Sequence, residues 1–138
     1  MSLDRPLLAE RAAAIARHLD RVAARLPPTE AEFVPASDRS DAVILHLWLA
    51  VQIANDLAMS ACVQLKLGAP ATYADAFRAL AAAGQLDGPL ADRLVRAAGF
   101  PNLVAHAFEN VDMRRVYQTA QTGPADVRAF VKALAAIP

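Results

Sequence analysis

The chain has 138 residues, enough for one domain with its own hydrophobic core. Hydrophobic residues make up 56% of it, which argues against intrinsic disorder. The formal net charge is zero, which excludes a uniformly basic, nucleic-acid-binding surface but not a local basic patch. We therefore expect a single folded domain over residues 1–138.

The cysteine content, the charged N-terminus and the polar residues within the most apolar stretch all favour a cytoplasmic protein. The single cysteine, Cys62, cannot form a disulfide within the chain, and its apolar surroundings predict a buried thiol. Charged residues such as Asp4 and Arg5 precede any apolar block, so we expect no secretory signal peptide. The most apolar stretch, 42–63, contains Asp56, which would be costly inside a bilayer. We interpret it as a buried helix and predict no membrane association.

The first predicted helix ends at the Pro27-Pro28 pair, because proline cannot continue a helix. Apolar residues follow alternating four- and three-residue steps along one face of this helix: Leu8, Ala12, Ile15, Leu19, Val22 and Leu26. His18 lies beside this apolar seam rather than on it, so we expect an exposed side chain.

The second predicted helix is capped by Ser37 and runs to about Leu67, with Gly68 as its C-terminal stop. Its first half is apolar nearly all round, so we expect it to be central in the fold and also part of an oligomer interface. Its later part carries polar residues at every fourth position, among them Asp56. Asp56 either makes a hydrogen bond at the edge of this stripe, which we favour, or faces a functional cleft.

Shorter helices are predicted for the rest of the chain. Thr72 caps a helix that ends at Gly84, and Gly88-Pro89 opens a segment that Gly99 closes. Pro101 suits the first turn of the next predicted helix. Asp112 is predicted to cap a further helical turn, and Gly123-Pro124 to separate that turn from the closing helix. No segment has a strand pattern. Four to six helices with short connections predict an all-α, antiparallel up-and-down bundle.

The residues of 99–117 form the best candidate for a chemical site. This stretch holds His106, one of three histidines, and Asn102 four residues earlier, so both lie on one helix face. The chain has no glycine-rich phosphate loop and no histidine or cysteine pairs with metal-ligand spacing. We therefore predict no cofactor and no metal ion. A lone histidine is by itself more often structural than catalytic.

Three sequence blocks resemble the HepT-like toxins of the HEPN superfamily. They are Asp-Ala-Val followed by His-Leu-Trp-Leu-Ala-Val-Gln within 41–58, Pro-Ala-Thr-Tyr-Ala-Asp-Ala-Phe within 70–84, and Gly-Phe-Pro-Asn-Leu-Val-Ala-His-Ala-Phe within 99–117. The blocks come in the family's order with family-like separations. The resemblance implies a helical HEPN domain that forms a homodimer. It also implies a metal-independent ribonuclease toxin that acts on RNA, with a minimal nucleotidyltransferase as its antitoxin partner.

The family's catalytic signature is an arginine, a polar residue that is commonly asparagine, a short spacer and a histidine. A tyrosine two residues after the histidine is where some partners attach a nucleotide. Carried over to this chain, the asparagine is Asn102 and the histidine is His106. Pro101 occupies the arginine position, and Phe108 occupies the tyrosine position.

The chemistry of RNA cleavage shows what these two replacements remove. Without a metal, a base must take the 2′-hydroxyl proton and an acid must protonate the leaving oxygen, roles that histidine fills near neutral pH. The arginine would stabilise charge on the phosphate, and losing such a donor typically costs on the order of 10²–10³ in rate. Pro101 cannot supply that charge, and Phe108 has no hydroxyl to which a nucleotide could be attached.

Two functional hypotheses follow from the resemblance. The first is a HepT-like ribonuclease toxin, weakened by Pro101, in which His106 and Asn102 are catalytic. The alternative is a catalytically inactive HEPN module that binds RNA, a nucleotide or a nucleotidyltransferase partner. Nearby arginines could bind the phosphate in place of the missing one, and the candidates are Arg96, Arg114 and Arg115. Asp56 and Phe108 are the candidates for lining the cleft.

Overall fold

Six α-helices form the part of the chain that the structure describes. A computed structural model describes residues 2–106 and 112–138, with side chains at all of these except positions 105 and 106. No β-strand occurs in these two ranges, in agreement with the predicted all-α class. The elements are α1 (Arg5–Arg25), a short 3₁₀ turn (Glu30–Glu32), α2 (Asp38–Gln64), α3 (Tyr73–Ala82), α4 (Gly88–Ala98), α5 (Phe100–His106) and α6 (Met113–Ala135).

Side-chain caps fix where several helices begin. The side chains of Ser37, Thr72 and Asp112 each accept a hydrogen bond from a backbone N–H in the first turn of α2, α3 and α6. These bonds satisfy N–H groups that have no partner within the helix. All three caps were predicted from the sequence. Asp4 and Asp87 cap α1 and α4 in the same way.

The end of α2 differs from the prediction. The helix ends at Gln64 rather than near Leu67, because Lys66 takes the left-handed conformation with φ of 58°. The N–H of Leu67 then donates to the carbonyl of Cys62 at 2.8 Å, which closes the last turn. Gly68 also has a positive φ, but it follows the helix end instead of making it.

Helix α2 is the central element of the bundle, because it packs against each of the other five α-helices. Its C-terminal half shares a core cluster with α1, α3, α4 and α6 that includes Ala58, Phe77 and Phe130. Its N-terminal half belongs to a second cluster, which also holds residues of α1, α5 and α6. Cys62 is fully buried as predicted, and burial raises the pKa of its thiol. The predicted central position of α2 is therefore confirmed.

By length and composition alone, α2 could cross a membrane. The central helix of a soluble protein meets the same criterion. The packing of α2 against five other helices makes the second interpretation the better one.

The position of His18 corrects the sequence prediction of an exposed side chain. His18 is half-buried between α1 and α2, and its Nδ1 lies 3.0 Å from Nδ1 of His46. The ring centroids are 5.3 Å apart and the planes differ by 28°, so the imidazoles are stacked. Periodicity within α1 could not reveal this contact, because the partner residue belongs to α2.

Helix α6 corrects the predicted break at Gly123-Pro124. The helix runs without interruption from Met113 to Ala135, with Pro124 inside it. Apart from Tyr117, its buried residues keep three- and four-residue steps on both sides of the proline: Val116, Ala120, Gly123, Val127, Phe130 and Leu134. Burial of this continuous face outweighs the cost of one internal proline, which is roughly 3 kcal/mol in an isolated helix.

We predict that Pro124→Ala raises the free energy of unfolding by about 1–3 kcal/mol. Proline has no N–H to donate to the carbonyl of Ala120, and alanine would restore that hydrogen bond. Urea denaturation followed by circular dichroism measures the change, with Gln121→Ala at an exposed neighbouring position as the control. A less stable Pro124→Ala protein would mean that the packing of α6 depends on the proline.

Candidate functional site

Helix α5, which carries the predicted catalytic pair, is anchored to the N-terminal half of α2 by its inner face. Phe100 is 3% exposed and Val104 is buried, and both belong to the core cluster that contains Leu47 and Val51 of α2. The N–H of Leu103 donates to the carbonyl of Gly99 at 3.0 Å, which forms the first turn of α5 directly after α4. The helix therefore has a fixed orientation relative to α2.

The outer face of α5 carries Asn102, whose side chain is exposed. Position 106 follows by four residues, so by helical register it lies on the same side of α5 as Asn102. The side chain of His106 and the residue Phe108 lie outside the described residues. What the structure establishes is that the predicted motif begins on a helix whose inner face is packed and whose Asn102 faces solvent.

A buried amide holds the junction between α4 and α5. Asn55 is 1% exposed, and its Nδ2 donates to the carbonyl of Ala98, the last residue of α4, at 3.3 Å. Ala98 lies two residues before α5 begins. Asn55 is therefore a positioning residue for the candidate site, and the sequence reading gave it no such role. Its four-residue spacing from Leu47 and Val51 placed it on the buried face, which is the signal that could have identified it.

The three arginines proposed to bind phosphate lie at the end of α4 and the start of α6, the helices that precede and follow α5 in the sequence. Arg96 is exposed in the last turn of α4, and Arg114 and Arg115 are exposed in the first turn of α6. Nε of Arg114 lies 3.4 Å from Oε1 of Glu30, and both side chains are solvent-exposed, so this ion pair is weak. None of the three donates a hydrogen bond to Asn102 within the described residues. Their role in phosphate binding stays a prediction.

Asp56 takes part in an exposed polar cluster with residues of α2 and α3. Its Oδ1 accepts a hydrogen bond from the hydroxyl of Tyr73 at 3.2 Å and a longer one from Nε2 of Gln52. Asp56 also lines a depression of about 150 Å³ between α1 and α2, beside Arg11 and Ser60. These contacts support the structural interpretation of Asp56, a hydrogen-bonded residue at the edge of the polar stripe.

The described residues offer no metal-binding cluster. Within 2–106 and 112–138, no three histidine, cysteine or acidic side chains lie close enough together to hold a metal ion.

Comparison with known proteins decides the family. A model of the family described as "Ribonuclease HepT-like" matches residues 15–134, which is most of the chain. The chain belongs to the HepT-like family. The family resemblance inferred from the three sequence blocks is thereby confirmed.

Individual relatives of this HepT-like chain agree with that assignment. The mRNA nuclease HepT of Shewanella oneidensis is 28% identical over 96 residues, which cover 70% of this chain and 72% of the relative. A solved structure of a tri-AMPylated HEPN toxin from Shewanella oneidensis, in complex with an MNT antitoxin, superposes with a TM-score of 0.85. It is 24% identical, and the match covers 98% of this chain and all of the other.

A toxin–antitoxin complex solved with AMP-PNP gives a similar result. Its TM-score is 0.86 at 24% identity, covering 98% of this chain and 100% of the other. At this level of identity the two structures establish the fold, which is the all-α HEPN bundle. The catalytic assignments of Asn102 and His106 stay predictions.

We predict that Asn55→Ala lowers the free energy of unfolding by about 1–3 kcal/mol, because it removes a buried hydrogen bond and leaves the Ala98 carbonyl without its donor. Denaturation by urea measures the loss. Asn102→Ala is the matched control, since its exposed amide makes no hydrogen bond to the described residues, and it should change stability by less than about 0.5 kcal/mol. Equal stabilities of the two variants would contradict the positioning role of Asn55.

Proposed function

We propose that this HepT-like chain is the toxin of a toxin–antitoxin pair and cleaves RNA without a metal ion, with His106 as acid or base. The observation that carries the proposal is the exposed Asn102 on a packed helix, four residues before His106, in a chain of the HepT-like ribonuclease family. An mRNA nuclease among its relatives supports RNA as the substrate. Asn102 would orient the histidine or the scissile phosphate.

Cleavage needs two proton transfers at one phosphate, and two histidines across a dimer cleft could divide these two roles. In a homodimer, one His106 would take the 2′-hydroxyl proton while the partner copy's histidine protonates the leaving oxygen. Pro101 supplies no cation at the position where the family has an arginine. Arg96, Arg114 and Arg115 are the nearest candidates in sequence for stabilising the phosphate, and a reduced rate is expected.

We also propose a minimal nucleotidyltransferase as the antitoxin partner. Solved HEPN toxins of the same fold occur in complexes with an MNT antitoxin, and one of those toxins is AMPylated. Phe108 lacks a hydroxyl, so a nucleotide cannot be attached at the family's tyrosine position in this chain. Tyr117 is a poor replacement, because its buried hydroxyl donates to the carbonyl of Pro27 at 2.7 Å. The other tyrosine, Tyr73, lies on α3 and its hydroxyl donates to Asp56 of α2, so inhibition by direct binding of the partner is the simpler expectation.

The second candidate function is a catalytically inactive HEPN module that binds RNA, a nucleotide or the nucleotidyltransferase without cleavage. Pro101 and Phe108 favour it, since both replace functional groups of the family motif while the helix itself is retained. In this case Asn102 and His106 would contribute to binding only.

We predict that the purified protein cleaves RNA in the presence of EDTA and that His106→Ala lowers the rate by at least about 10²-fold. Pro101→Arg should raise the rate, because it returns a cation to the phosphate. Gel analysis of a labelled single-stranded RNA measures both. Cleavage that persists in His106→Ala would indicate a contaminating nuclease.

Two outcomes of this experiment distinguish the candidate functions. If the natural protein is inactive but Pro101→Arg cleaves RNA, the chain is a former ribonuclease that lost its activity with the arginine of the motif. If neither protein cleaves, the inactive binding module is the correct description. Arg78→Gln serves as a charge control, because this exposed residue of α3 is paired with Asp75 and is not a candidate for the site.

We propose further that the chain forms a homodimer through the outer face of α2. Leu45 and Trp48 are 46% and 39% exposed although both are large and apolar, and they lie three residues apart on that face. A single domain over the whole chain and a cytoplasmic location complete the proposal; the one cysteine, which is buried, fits a reducing compartment.

We predict that Trp48→Glu converts the dimer into a monomer, since a charge at the centre of an apolar interface is left without a partner. Light scattering coupled to size-exclusion chromatography measures the mass. Gln118→Glu, an exposed position on α6, introduces the same charge as a control and should leave the mass unchanged. A dimer that survives Trp48→Glu would mean that another surface forms the interface.

A further inference from the structure

A pair of histidines and a group of arginines come together where α1 packs on α2, and the candidate site on α5 does not use them. The Nδ1 atoms of His18 and His46 lie 3.0 Å apart, so one ring donates to the other. This contact occupies one nitrogen of each imidazole. The Nε2 atoms of both rings take no part in it.

The electrostatic surroundings of this pair are positive. Burial lowers the pKa of His18 most, and the charges of Arg21 and Arg17 lower it further. Burial also has the largest effect on His46, whose pKa is lowered in addition by His18, Arg21 and Arg25. Arg21 thus acts on both rings.

Asp20 follows Arg17 by three residues and directly precedes Arg21, but its Oδ1 is paired with Nη2 of Arg128 on α6 at 2.8 Å. Neither helix has an acidic residue three or four positions from His18 or His46, which are the positions that share a helix face with them. Among the described residues, none of the arginines around the pair forms an ion pair. Arg39 adds another positive charge near this end of α1, because its Nε donates to the carbonyl of Arg25 at 2.6 Å.

We propose that His18, His46 and Arg21, with Arg17 and Arg25 around them, form a second site that binds a phosphate group. An oxyanion supplies the charge that the cluster lacks, and guanidinium groups donate to phosphate oxygens in a fixed, planar geometry. A metal cation is disfavoured here, because the arginines repel it and the described residues provide no carboxylate as a third ligand. The site goes beyond the proposed cleavage at His106 and does not depend on it.

Protonation of the histidine pair is linked to this binding. When both histidines are neutral, each ring has one N–H group. One of these N–H groups forms the bond between the Nδ1 atoms, so only the other, on one Nε2, can donate to a ligand. Adding one proton gives each Nε2 an N–H while the bond between the rings is kept. A bound phosphate favours that protonated form, because an opposite charge close to an imidazole raises its pKa. Binding should therefore strengthen as the pair takes up a proton on lowering the pH, and the anion should raise the lowered pKa values of both histidines.

The first test titrates His18 and His46 by NMR in inorganic phosphate and in chloride of equal ionic strength. Phosphate should raise both pKa values by about 0.5–1 unit. Arg21→Gln should weaken phosphate binding about tenfold, the equivalent of one charge-assisted hydrogen bond. Arg78→Gln, the exposed control on α3, should bind phosphate as the natural protein does.

The second test asks which molecule carries the phosphate, and it uses the His106→Ala background so that cleavage cannot interfere. Binding of a short single-stranded RNA is measured by fluorescence anisotropy over a range of salt concentrations. If the site holds the RNA backbone, Arg21→Gln lowers the RNA affinity. It also reduces the slope of log affinity against log salt concentration by about 1, the contribution of one phosphate contact. If Arg21→Gln weakens inorganic phosphate but not RNA, the site serves free phosphate or a nucleotide.

Two results would overturn the proposal. One is a pair of histidine pKa values that phosphate leaves unchanged. The other is an equal loss of phosphate binding in Arg21→Gln and Arg78→Gln, which would indicate a general charge effect. If the natural protein binds phosphate at this site but does not cleave RNA, that result would count only against the proposed catalytic function.

Discussion

The packing of the inward face of α2 is the constraint on which the candidate site depends. Leu47 and Val51 contact the core cluster that receives Phe100 of α5, and Asn55, one turn further on, holds the end of α4. A single helix thus fixes both sides of the α4–α5 junction. Because buried apolar contacts and one satisfied amide act together there, the position of Asn102 is determined by residues that have no chemical role themselves.

Local features of the structure could be predicted from the sequence, because their causes are local. Ser37, Thr72 and Asp112 cap helices through hydrogen bonds to residues two or three positions away, and such caps are visible in the sequence. Pro124 shows the limit of this reasoning. A rule based on the residue alone predicted a break, whereas the apolar face on both sides of it is buried continuously from Val116 to Leu134.

Contacts between helices explain what the sequence could not reveal. His18 was assigned to the surface from the pattern of α1, yet its partner His46 is 28 residues away on α2. Their meeting depends on the rotation and register with which the helices pack. Asn55 is an intermediate case, because its spacing predicted burial but the carbonyl it binds belongs to α4. The catalytic roles predicted for Asn102 and His106 rest on resemblance to other sequences, and periodicity alone could not have suggested them.

In the motif predicted from the family resemblance, Pro101 stands where an arginine is expected, and proline fits the helix that carries it. Pro101 is the second residue of α5, where the backbone N–H has no partner within the helix, so the missing N–H costs little. Proline at this position is compatible with the packing of Phe100 and the exposure of Asn102. The folding of α5 therefore does not require an arginine at this position. The proposed binding of RNA needs positive charge, and Arg21 and Arg25 of α1 supply some of it beside His18 and His46.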